Sequence, residues 1–200
     1  MKISAVQVKE LRDKTGAGFM ECKAALTEAA GDLDHAIIIL RTKGQAKAEQ
    51  RAGRSTSEGL IGHYIHQGEQ VGVLVEVNCE SDFVARTDDF RTLVKEISMH
   101  VAAANPTFVR RDDVPIDVLE REKSIFRNQF EKSNKPPHVI DRIVEGKISS
   151  YYEQTVLVDQ PSIRDPKTTI GTMVSDAIAK LGENITIARF SRFKVGDSNQ

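Results

Sequence analysis

Cysteine is almost missing from this chain. Its two residues, Cys22 and Cys79, lie far apart and neither belongs to a CxxC pair. That spacing gives no support to zinc binding or thioredoxin-type chemistry, and two lone thiols suit a reducing cytoplasm. Charge of one sign is missing too. Twenty-eight basic residues oppose 29 acidic ones for a net charge of −1, so the chain as a whole offers no electrostatic case for nucleic acid. No apolar run reaches the length of a membrane span or a signal peptide, and the start, MKISAVQVKELRDK, mixes charged and apolar residues from the outset. The expected setting is therefore cytoplasmic, with no membrane partner. Internal repeats and low-complexity segments are also lacking.

What remains is an ordinary soluble composition, 40% hydrophobic and 28% charged, too apolar for a disordered chain. Two hundred residues suffice for one sizeable core plus a small satellite domain. The first part reads as helical. Ser4 and Gln7 have capping-box spacing for a helix from about Ala5 to Lys14. Thr15-Gly16-Ala17-Gly18 breaks it. A second helix, Phe19 to Ala30, places Cys22, Ala25, Leu26 and Ala29 on one face, and Gly31 stops it. Asp32 or Asp34 caps a third, with Leu33, Ile37 and Leu40 inward and Gly44 near its end. Arg41 to Ser57 reads as a polar helical extension that becomes a linker.

The period then changes from helical to alternating. Leu60 to His66 reads as a strand, Gln67 to Gln70 as a turn, and Val71, Val73, Val75 and Val77 as one face of the next strand. A helix is expected from Thr87 to Ala104, with a stripe of Phe90, Leu93, Val94, Ile97 and Val101, ended by Asn105-Pro106. Helices from Pro115 to about Glu131 and from Pro137 to Gln154, joined by a turn over Ser133 to Pro137, should form an antiparallel hairpin. Glu122 and Lys123 interrupt the first of those stripes, so the hairpin should be semi-detached. Thr168 caps a last helix that Gly182 ends, and Ile185 to Val195 is a final strand returning to the sheet. The expected class is α+β. A small helical domain over 1–54 precedes a core over 55–200, built of an antiparallel sheet with helices on one side and a projecting helical hairpin over 115–154.

Four stretches, in order, resemble the elongation factor Ts family. Leu11 to Leu26 (LRDKTGAGFMECKAAL) is similar to the family's N-terminal signature. Glu80 to Arg86 (ESDFVAR) is similar to its ETDFVAR segment, with Ser81 in place of Thr. Lys135-Pro136-Pro137 followed by Ile143 to Lys147 is similar to its KPxxIxxxIVEGR stretch, with Lys147 in place of Arg, and Arg192 to Gly196 is similar to its RFxVG end. The resemblance implies a guanine-nucleotide exchange factor that binds elongation factor Tu and promotes loss of GDP. It implies that Asp82 and Phe83, flanked by Ser81 and Val84, enter the partner beside its nucleotide, with Phe83 as an apolar wedge and Asp82 disturbing the magnesium site. It also implies that the N-terminal domain, similar to a ubiquitin-associated domain, docks through Arg12, Phe19 and Met20, and that His100 is a secondary contact. One core module suggests a short form that acts as a homodimer. No cofactor, metal site or catalytic residue is implied.

Blander readings stand beside these. Asp82 capping a short helix with Phe83 in the core is the structural alternative, and His100 beside its core stripe reads more readily as a satisfied buried histidine. The Thr15–Gly18 loop precedes a helix N-terminus but lacks the preceding strand and the GK[ST] ending of a phosphate cradle. His63 and His66, three apart on a strand, point to opposite faces and cannot chelate one metal. The basic residues Lys43, Lys47, Arg51 and Arg54 would carry an RNA-binding alternative, yet the strands lack the interleaved aromatics that stack bases. An enzyme is disfavoured by the lack of convincing paired carboxylates, nucleophile elbow or metal cluster.

Overall fold

The computed structural model describes residues 3–130 and 135–197. Three helices open the chain: α1 (Ala5–Thr15), α2 (Phe19–Glu28) and α3 (Leu33–Arg51). The capping box forms, with the Ser4 hydroxyl accepting from the Gln7 N–H and the Gln7 side chain accepting from the Ser4 N–H. Gly16, in the left-handed conformation at φ 68°, closes α1. Asp32, rather than Asp34, caps α3 by accepting from the His35 N–H at 2.9 Å. A core of Val8, Leu11, Cys22, Ala25, Leu26, Ala29 and Ala36 joins the three helices, with Leu33, Ile37 and Leu40 packed around it.

One boundary departs from the sequence reading. Helix α2 stops at Glu28, two residues early, because Ala30 and Gly31 both take positive φ in the turn to α3. Gly44 lies inside α3, which continues through the expected helical extension to Arg51. The glycine is there for closeness: a Cβ on it would lie 3.2 Å from the Cβ of Ala179.

A three-stranded antiparallel sheet follows, from β1 (Glu58–Ile65), β2 (Val71–Cys79) and β3 (Ile185–Lys194) in the order β1-β2-β3. The last strand therefore returns beside the hairpin, as expected. Val73, Val75, Val77 and Cys79 of β2 are buried, while Leu74 on the opposite face is half exposed. Between the hairpin and β3 lie α4 (Asp82–Ala85), α5 (Asp88–Ala104), α6 (Ile116–Asn128), α7 (Pro137–Thr155) and α8 (Ile170–Leu181). All five expected stripe residues of α5 are buried. Arg192 of β3 donates to the carbonyl of Ala102 near the end of α5 at 3.2 Å.

Helix α6 packs against α7, and Arg127 pairs with Asp141 at 2.8 Å. Helix α6 contributes no buried residue, whereas α7 buries Val144 and Ile148, so the hairpin is held by one of its helices. The part of the expected turn before Lys135, and the expected end of α6 at Glu131, fall outside the described residues. The Thr168 hydroxyl donates to Asp165 at 2.7 Å inside the turn that precedes α8, which begins at Ile170.

The chain divides into two compact units. One comprises 1–61, 76–94 and 172–187, and holds α1 to α4, α8 and one end of the sheet. The other comprises 62–75, 95–171 and 188–200, and holds the helical hairpin, the β1–β2 turn and the other end of the sheet.

Candidate functional site

Where β2 leaves the sheet, Glu80 and Ser81 turn the chain into α4, a single helical turn. Ser81 has extended backbone angles and its hydroxyl faces the Val84 N–H at 3.4 Å, which makes it the N-cap. Ala85 points inward and is buried, and Arg86 closes the turn by donating its N–H to the carbonyl of Asp82 at 3.2 Å. With Ala85 inward, Phe83 is turned out, and it is 79% exposed. Asp82 pairs with Arg86 at 2.8 Å across an exposed (i, i+4) spacing. Such a pair is weak, so the carboxylate is free to exchange its partner. The structural alternative thus fails in both halves: Ser81 caps the turn, and Phe83 is not core. Val84 is partly buried.

The base of this tip is held by residues that sequence reasoning missed. The carboxylate of Glu183 accepts from the Ser81 N–H at 2.9 Å and from the Ser81 hydroxyl at 2.5 Å. Reciprocally, Glu80 accepts from the Asn184 N–H at 2.6 Å. The Asn184 side chain, almost fully buried, donates to the carbonyls of Arg54 at 2.8 Å and Ala52 at 3.4 Å. Arg54 lies 3.5 Å from the Glu80 carboxylate. The thiol of Cys79 donates to the Ser81 carbonyl at 3.1 Å. Burial pushes that thiol's pKa up, and the charge of Glu183 pushes the same way, so Cys79 stays a neutral donor. The only trace of this in the sequence is two polar residues after the helix-ending Gly182 and directly before an apolar strand.

Arg12 is exposed on α1, and Phe19 and Met20 are 48% and 70% exposed at the start of α2. The Thr15–Gly18 loop is a tight turn. The Thr15 hydroxyl donates to the carbonyl of Leu11 at 2.7 Å and accepts from the Ala17 N–H at 3.3 Å. Glu21 accepts from the Gly18 N–H at 3.2 Å, so this helix N-terminus already carries a carboxylate. A hydrogen bond from Lys47 holds Glu21 below its ordinary pKa, against a smaller opposing effect of burial.

The basic stretch is engaged within the fold. Lys43 pairs with Glu28 at 2.6 Å, Lys47 with Glu21, and Arg54 with Glu80, while Arg51 donates to the carbonyl of Ile178 at 3.4 Å. This does not resemble a phosphate-tracking surface. Among the described residues no three His, Cys, Asp or Glu side chains are placed to hold a metal, and no helix is long and apolar enough to cross a membrane.

His100 is 1% exposed, far from the surface contact that the family resemblance implies. Its Nε2 lies 2.9 Å from Oε1 of Gln160, whose own amide N–H donates to the carbonyl of Gln154 at 2.7 Å. Gln160 therefore presents an acceptor, His100 carries its proton on Nε2, and the buried Nδ1 has no partner. The satisfied-core reading holds for one ring nitrogen only.

On the face of the sheet opposite the buried valines, His63, Ile65, Gly72, Leu74, Phe193 and Val195 line a shallow hollow of about 410 Å³. Phe193 and Val195 are 65% and 70% exposed.

The family model described as Elongation factor TS matches residues 42–197. An elongation factor Ts of Caldanaerobacter subterraneus is 56% identical over 195 residues, which is 98% of this chain and 98% of the relative. Those of Koribacter versatilis and Fervidobacterium nodosum are 55% and 54% identical over 197 residues, covering 98% of this chain and 90% and 100% of the relatives.

Burial lowers the pKa of His100 below its ordinary 6.5, and the Gln160 bond opposes this only in part. The stability that this neutral histidine contributes is complete above the unfolded pKa and is lost as pH falls through the lower folded value. Wild type should therefore lose more stability than His100→Gln between about pH 7.5 and about pH 5. Urea denaturation at both values checks this, and parallel losses would contradict it.

Proposed function

The chain belongs to the elongation factor Ts family of translational guanine-nucleotide exchange factors, and from that premise we propose that α4 is the element that displaces GDP from elongation factor Tu. The observation that carries this reading is the outward Phe83 on a turn whose base is fixed by hydrogen bonds. The ring enters the partner as a wedge, with Ser81 and Val84 shaping its base. Asp82 exchanges its weak pairing with Arg86 for the neighbourhood of the Mg²⁺ and phosphate that hold the nucleotide.

Magnitudes limit what the ring does alone. Burying one large apolar side chain is worth about 1.5–3 kcal/mol. Inverting a 1:99 population needs about 5.5 kcal/mol of differential binding. Phe83 therefore supplies at most about half, and the rest has to come from Asp82 and from the docking that places both. We assign that docking to residues 1–54, read as a module similar to a ubiquitin-associated domain, through Arg12, Phe19 and Met20. His100, buried in a polar cluster, acts as a secondary contact only if the partner opens that cluster. The protein turns over no substrate of its own, needs no cofactor and works in the cytoplasm, a setting that its two buried, unpaired thiols suit. Direct nucleic-acid binding is disfavoured by the internally paired basic stretch.

The hollow on the outer sheet face fits a second copy of this chain. Three strands present apolar side chains there, and a homodimer would cover them.

Three outcomes are expected. Phe83→Ala should slow stimulated release of fluorescent GDP from elongation factor Tu by about tenfold or more, with thermal unfolding unchanged. Release at the wild-type rate would remove the wedge role. Met20→Asp should weaken the complex by about 1–2 kcal/mol in a binding titration while changing stability by less than about 0.5 kcal/mol. Equal binding by the folded variant would rule out its docking role. Sedimentation should give a dimer for wild type and a folded monomer for Phe193→Glu, and a wild-type monomer at every concentration would contradict the shared face.

A further inference from the structure

We propose that Glu183 is a positioning residue for nucleotide exchange, the fixed point that keeps α4 formed and its aromatic ring outward. The proposal rests on the reading of Asp82 and Phe83 as the displacing pair.

A single turn of helix cannot hold itself together, because nucleation fixes several residues for one hydrogen bond. Its geometry has to be imposed from outside. Glu183 does so twice on one residue, taking both the N–H and the hydroxyl proton of Ser81. The hydroxyl is thereby oriented with a lone pair toward the Val84 N–H, which is the capping contact that starts the turn. Bonds to an ionised acceptor are the stronger kind, and two of them on one serine fix direction as well as distance. The Cys79 thiol takes the remaining polar group of Ser81, its carbonyl.

The second half of the latch mirrors the first. Residues 80–81 and 183–184 each offer a carboxylate to a backbone N–H of the other pair. Asn184 then reaches the carbonyls of Ala52 and Arg54 in the segment that leaves α3. The latch therefore ties three distant stretches of chain at one point: the linker after the N-terminal helices, the base of the tip and the turn before β3. A ring 79% exposed gains free energy by folding back onto any nearby apolar surface. Holding the backbone of α4 rigid removes that option.

The test is GDP release from elongation factor Tu by Glu183→Ala, Glu183→Gln, Phe83→Ala and the double variants. Glu183→Ala should slow release by about tenfold. Glu183→Gln keeps one acceptor oxygen and should recover part of that loss. In the Phe83→Ala background, Glu183→Ala should add little, because both changes disable the same ring. Amide exchange should speed up at residues 82–85 while α1 to α3 keep their protection, an effect that general destabilisation would spread over the unit. Wild-type release by Glu183→Ala beside slow release by Phe83→Ala would overturn the latch and leave the wedge standing. An equal slowing by Glu183→Ala with and without the ring would overturn it as well. Normal release by Phe83→Ala would instead remove the wedge itself, and the latch role with it. Should Glu183→Ala not fold, the Glu183→Gln cycle carries the same comparison.

Discussion

One carboxylate, that of Glu183, receives both protons that Ser81 can donate, and the presentation of the tip depends on this contact. Remove it and the four-residue α4 keeps its buried Ala85 and its local backbone bonds, but its serine cap at 3.4 Å loses the partner that orients it. With it in place, Ala85 goes inward, Phe83 goes outward, and Asp82 is left in a weak exposed pair. The arrangement keeps an apolar ring in water, which is unfavourable for the isolated chain and useful only when a partner supplies a pocket. The rigidity that holds it there lowers the ordering cost of binding.

An exchange factor works by binding one state of its partner better than another, so the location of its anchors matters more than their number. In the proposed division of labour, the N-terminal helices provide attachment and the tip provides discrimination. The link between them is physical. Asn184 bonds to the backbone that leaves α3, while the neighbouring Glu183 bonds to the base of α4. The basic stretch over 43–54, which composition alone would offer to RNA, instead ties α3 to Glu28 and Glu21 and the segment after α3 to Glu80.

Much of the fold was legible because its signals are local. The Ser4–Gln7 capping box, the Asp32 cap, the α5 stripe and the alternating valines of β2 each depend on residues a few positions apart. The reason for Gly44 lies in Ala179, far along the chain, and no local pattern shows a close-packed glycine of that kind. At the site, the outward Phe83 was expected only from the family resemblance, since spacing alone favoured a core ring. Glu183 left only a faint trace, a polar residue between a helix-ending glycine and an apolar strand, because it sits 102 residues from the serine it holds.

The central claim is differential binding exerted through residues 82 and 83, and affinity measured against the partner's nucleotide state tests it most directly. Calorimetric titration of this protein into elongation factor Tu, nucleotide-free and loaded with Mg²⁺ and GDP, gives the ratio of the two dissociation constants. The account predicts a large ratio in favour of the empty state for wild type, and a ratio much closer to one when Asp82 and Phe83 are both replaced by alanine. Equal affinity for the two states, or a ratio that survives the double replacement, would contradict it.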